Sequence, residues 1–76
     1  MPKITPIHYK KFEKFLRYIG CSLRRQAGDH KIYQRSDLHR PLVVTCKKDL
    51  PVMEIKSNLN TLRMSNEEYL DILERL

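Results

Sequence analysis

Gly28-Asp29 stands between two short runs with strand character, and that dipeptide limits what this chain can fold into more than any other stretch does. Glycine accepts φ > 0 at no steric cost, and aspartate can bond its own downstream backbone, so the pair predicts a tight turn. Strands over residues 21 to 26 and 31 to 35 then form a hairpin. The turn brings His30 to the start of the second strand, within a few residues of Arg24, Arg25 and Lys31. Imidazole, with an ordinary pKa of about 6.5, exchanges protons near neutrality. Arginine grips a phosphate through two parallel bonds and lysine as a point charge. This set points to His30 acting on a phosphodiester that the three cations hold.

Helix, strands and further helices follow one another along the chain. Thr5-Pro6 reads as a helix start, with Thr5 as N-cap and Pro6 at the first position, where a missing N–H costs nothing. Ahead of it, residues 1 to 4 read as a loose arm. Ile7, Phe12, Phe15, Leu16 and Ile19 recur at helical spacing, and Gly20 supplies a left-handed C-cap. Lys10, Lys14 and Arg17 fall at i, i+4 and i+7, a face suited either to solvent or to phosphate. A third strand spans 42 to 46, with Leu42, Val44 and Cys46 on one side and Val43 and Thr45 on the other. In the second strand Ile32 shares a face with His30, and Tyr33 with Lys31; alternation leaves open which face is buried. Residues 47 to 54 read as a connection in which Pro51 bars a central strand. Ile55, Leu59 and Leu62 mark a second helix. Ser65 opens a third through a capping box with Glu68, Met64 stapling to Tyr69 and Leu70, Leu73 and Leu76 forming its apolar side. The class is α+β, with helices packed on one face of a three-stranded antiparallel sheet.

A chain of 76 residues supports one thin core, so residues 1–76 are expected to form one domain. Its charge is uneven. Residues 1 to 48 carry twelve Lys or Arg against Glu13, Asp29 and Asp37, whereas the remainder is net acidic. The overall charge of +6 favours an anionic partner, and nucleic acid fits the basic half. Cys21 and Cys46 lack a CxxC spacing, which suggests reduced thiols in a cytoplasmic protein. No apolar run nears the ~20 residues of a membrane span, and no signal-peptide core opens the chain, so no membrane partner is expected. His8 and His39 look incidental, and the three histidines lack the spacing of a zinc site.

Leu16-Arg17-Tyr18-Ile19-Gly20-Cys21, followed by Arg25-Gln26-Ala27-Gly28-Asp29-His30 with Ile32 and Tyr33, resembles the HicA family of bacterial toxins. Val43-Val44-Thr45 and Thr61-Leu62-Arg63 add to the likeness, which extends over nearly the whole chain. The resemblance implies a fold like the double-stranded-RNA-binding domain and an endoribonuclease that cleaves mRNA and inhibits translation. It further implies that His30 is catalytic, that cleavage needs no metal or other cofactor, and that a HicB-type antitoxin covers the site. Lys31 and Tyr33 are the sequence neighbours that could protonate the leaving group. The competing expectation is a noncatalytic RNA-binding module that reads A-form RNA by shape. Nothing in the sequence fixes the oligomeric state.

Overall fold

A computed structural model describes residues 3–76. Ile7–His8 (β1) leads directly into a helix over Tyr9–Tyr18 (α1). Strands Ser22–Ala27 (β2), His30–Gln34 (β3) and Leu42–Thr45 (β4) follow, then Asp49–Leu50 (β5) and helices Val52–Leu62 (α2) and Asn66–Glu74 (α3). The expected α+β order is therefore present, with one addition. β1 and β5 form a two-residue antiparallel ladder, Ile7 opposite Leu50, which ties the start of the chain to the connection before α2.

That ladder displaces the first helix start. Ile7 is extended rather than helical, and His8, not Thr5, is the N-cap, its Nδ1 accepting from the Lys10 N–H at 3.2 Å. Ile4 is buried in the core, so the expected arm is anchored there; Met1 and Pro2 lie outside the described residues. At the other end of α1, Gly20 takes φ +93, the left-handed conformation its sequence position predicted.

The sheet runs β2-β3-β4, antiparallel throughout. Gly28, with φ +59, is the first of two residues linking the paired Ala27 and His30, the backbone signature of a type II′ hairpin turn. The register slips between Leu23 and Arg25, leaving Arg24 as the extra residue of a bulge.

One face of this sheet is the core. Tyr33, Leu42 and Val44 are fully buried there against Phe12, Phe15 and Leu16 of α1 and Ile55 and Leu59 of α2. Tyr69 locks α3 onto the same core, its ring edge-on to Phe15 at 4.9 Å between centroids. It, rather than Leu70, Leu73 and Leu76, is the deeply buried residue of α3. Ser65 caps that helix as expected, its hydroxyl accepting from the Glu68 N–H at 3.1 Å. The start of α2 precedes the expected apolar stripe by a turn, because Pro51 serves as its N-cap.

The two sheet edges differ. Along β4, Glu54 accepts from the Thr45 N–H at 3.0 Å, while Asn58 donates to the Val43 carbonyl at 3.1 Å. Two side chains one turn apart on α2 thus satisfy backbone groups that would otherwise face outward, the usual protection of an edge. β2 is exposed along its whole length.

Candidate active site

Cross-strand pairing decides which side chains share a face. His30 is opposite Ala27 and Thr45, and Ile32 is opposite Arg25 and Val43, so these residues line the outer face, away from the core. Tyr33 pairs with the buried Leu42, and Lys31 with the buried Val44, which places both on the inner face. The ambiguity left by alternation is thereby resolved: His30 is exposed.

His30 borders an open cleft of about 320 Å³ between the outer sheet face and α2. Arg40, Pro41, Val43, Thr45 and Asn58 are among its walls. Glu54 also lines the cleft, but its two oxygens are turned to the strand edge, one taking the Thr45 N–H and the other the Thr45 hydroxyl at 3.1 Å. Next to it, Arg24, Arg25, Ile32 and Pro41 enclose a second hollow of about 310 Å³. Pro41 borders both.

The turn that carries His30 is pinned rather than loose. The Cys46 N–H donates to the Asp29 carbonyl at 2.6 Å, and the Lys47 ammonium lies 3.7 Å from the Asp29 carboxylate. Gln26 donates to the Gly28 carbonyl at 3.2 Å. These contacts set where the imidazole starts from.

Of the cations the sequence grouped with His30, the structure brings together Arg24 and Arg25 on the outer face. Lys31 is elsewhere. Its ammonium sits 2.9 Å from Glu13, a nearly buried carboxylate of α1 that also accepts the Tyr33 hydroxyl at 3.0 Å. The hydrogen bond to Glu13 raises the Lys31 pKa, and burial followed by that same carboxylate raises the Tyr33 pKa. Neither group is placed to serve His30. Lys10, Lys14 and Arg17 are exposed on α1, which covers the inner face, and they line none of the hollows beside His30.

Arg40 escaped the sequence reading. It sits in the loop between β3 and β4, and no local pattern distinguishes it from the other surface cations. Glu13 did leave a signal, since it shares a helical stripe with Tyr9, Phe12 and Leu16.

A hairpin histidine on the open face of a small α+β sheet, beside arginines that form no ion pair among the described residues, defines a class of compact domain with a basic outer face. The family can be named. Residues 9–64 match the family model described as HicA toxin of bacterial toxin-antitoxin, and the chain belongs to that family. Neither a curated protein nor a solved structure matches it. The matched span opens at the first residue of α1 and closes just after α2, so it includes His30, the arginines and both walls of the cleft. Among the described residues, no helix is long and apolar enough to cross a membrane.

Proposed function

We propose that this chain is the toxin of a toxin–antitoxin pair and cleaves mRNA without a metal, with His30 as general base. The observation that carries this is the position of His30: exposed at the rim of a cleft that also holds Arg40, and on the same sheet face as Arg24 and Arg25.

RNA brings its own nucleophile. Neutral His30 takes the proton from a ribose 2′-OH, the 2′ oxygen attacks the adjacent phosphorus, and the bond from phosphorus to the 5′ oxygen breaks. A 2′,3′-cyclic phosphate remains on one product. The 5′ oxygen leaves with a proton from water, since Lys31 and Tyr33 face the other side of the sheet. Arg40, the arginine of the His30 cleft, steadies the negative charge that builds on the phosphoryl oxygens, while Arg24 and Arg25 beyond it draw the strand onto the outer face. General base catalysis of this kind is worth about 10²- to 10⁴-fold in rate. Lys10, Lys14 and Arg17 contribute long-range attraction for RNA rather than contacts at the reacting phosphate. A HicB-type antitoxin restrains the activity by covering the open cleft.

The test is incubation of purified protein with mRNA in excess chelator, comparing wild type with His30→Ala and an RNA with a 2′-deoxy strand of the same sequence. Cleavage by wild type, ending in a cyclic phosphate and lost in both comparisons, is the expected result. Cleavage of the deoxy strand, or an undiminished rate in the variant, overturns the mechanism. RNA binding without cleavage by wild type would leave a binding module instead.

A further inference from the structure

The loop from Ser36 to Pro41 does more than connect two strands. Arg35 holds it at the base: the guanidinium grips the Asp37 carboxylate through two bonds, at 2.6 and 3.0 Å, and donates a third to the Ile19 carbonyl at 2.9 Å. So fixed, the loop presents His39 and Arg40 toward the bulged Arg24. Together with Gln34, Ser36 and Pro41 they enclose a hollow of about 230 Å³. Arg40 and Pro41 belong also to the His30 cleft, and Arg24 and Pro41 to the hollow beside Arg25. The three hollows therefore lie side by side around Pro41, and the one that holds His39 shares Arg40 as well with the His30 cleft.

Apart from Arg35, the cations that border these hollows form no ion pair among the described residues. Among the described residues, Lys31, Arg35, Lys47 and Arg75 are paired with Glu13, Asp37, Asp29 and Asp71. Arg24, Arg25 and Arg40 are not among these pairs. Two unneutralised guanidinium groups converging on one small polar hollow match the charge and fork geometry of a phosphate.

We propose that the hollow bounded by Arg24, His39 and Arg40 is a second nucleotide subsite, holding a phosphate of the same RNA strand away from the one being cleaved. It rests on the nuclease reading above and adds to it: the enzyme then acts on a run of nucleotides, not on an isolated linkage. Arg40, between the two sites, fixes the spacing from bound phosphate to reacting phosphate. The two walls it shares with the His30 cleft, Arg40 and Pro41, are what favour RNA over an acidic protein segment as the occupant.

The experiment has two arms, each run on the full chain with the double variant Arg24→Gln, His39→Ala. Both side chains are exposed, so an unchanged Tm is the folding control. In the first arm a wild-type cleavage site is mapped, and kcat/KM is measured on RNAs from a dinucleotide to an octamer spanning it. The advantage of octamer over dinucleotide is expected to fall about tenfold, the equivalent of one lost phosphate interaction. In the second arm an uncleavable 2′-deoxy octamer is titrated at several salt concentrations. The slope of log affinity against log salt should shrink by about 0.7 for each phosphate contact removed.

An unchanged length advantage and an unchanged slope overturn the subsite, and leave the nuclease reading intact so long as His30→Ala is inactive. Should His30→Ala cleave normally, the general-base role of His30 falls, while the salt slope still judges the subsite. An unchanged slope accompanied by weaker binding of a co-expressed HicB-type antitoxin gives the hollow to the protein partner and overturns the proposal.

Discussion

His30 and Lys31 are consecutive in sequence, both basic in character, and on opposite faces of one strand. On the inner face the ammonium meets Glu13, and the phenol of Tyr33 meets the same carboxylate. Every charge there has a partner within the protein. On the outer face Arg24, Arg25 and Arg40 border open hollows and form no ion pair among the described residues. On the function proposed above, the two faces divide the work between folding and binding. Net charge alone cannot show this, because it counts a lysine already neutralised in the fold equally with an arginine that still attracts an anion.

The sharpest way to break this division is to compare His30→Ala with Glu13→Ala. The first should cost about 10²- to 10⁴-fold in cleavage and almost nothing in stability, since the side chain is exposed. The second should behave in reverse. It leaves the fully buried Tyr33 hydroxyl without its acceptor, a loss of about 2 kcal/mol by denaturant unfolding. Its cleavage rate per folded molecule should stay near wild type. If Glu13→Ala instead removed activity at unchanged stability, the faces would not be separable.

Much of this arrangement was legible before any coordinates. Gly20 and Gly28 announced their positive φ, the Phe12, Phe15 and Leu16 stripe announced α1, and Ser65 announced α3, because each depends on interactions within a few residues. The hidden parts depend on partners far along the chain. Ile7 and Leu50 make a ladder too short to have a pattern of its own, and it overrides the helix start that Thr5-Pro6 promised. Likewise β3 has polar and apolar residues on both faces, so only its pairing with Leu42 and Val44 shows that Tyr33 and Lys31 point inward. Arg40 acquires significance only when the loop folds over beside Arg24. The turn that carries His30 could be found from local sequence; what surrounds it could not.

A smaller effect tests whether hydrogen bonding on the inner face truly stabilises. Tyr33 and Tyr69 are both fully buried, but only Tyr33 has a partner; the Tyr69 hydroxyl has none among the described residues. Burial pushes its pKa up to about 12. Tyr33→Phe should therefore lower stability by about 1 kcal/mol, and Tyr69→Phe should raise it by a similar amount, because it deletes a desolvated group that gains nothing in return. In a domain of this size that is about 4 to 8 °C in Tm, in opposite directions. Equal signs for the two variants would mean that the Glu13 interaction adds little.

The weakest effect concerns the joint between the faces, the Arg35–Asp37 fork that holds the His39–Arg40 loop. Hydrogen bonds from Arg35 pull the Asp37 pKa below its ordinary value. A carboxyl with a lowered folded-state pKa stabilises the fold at pH values above its unfolded pKa, and that contribution fades as pH falls toward and through the folded value. Thermal unfolding followed from neutral to strongly acid pH should show a decline on the acid side that is shallower in Asp37→Asn. At neutral pH the same variant should be only slightly less stable than wild type, by less than either tyrosine change, because the Asp37 carboxylate is open to solvent and screened. Its more telling readout is the salt slope of RNA binding. Loosening the loop while leaving every outer-face arginine in place should reduce that slope if the arginines act as a fixed array, and leave it untouched if they bind RNA as independent surface charges.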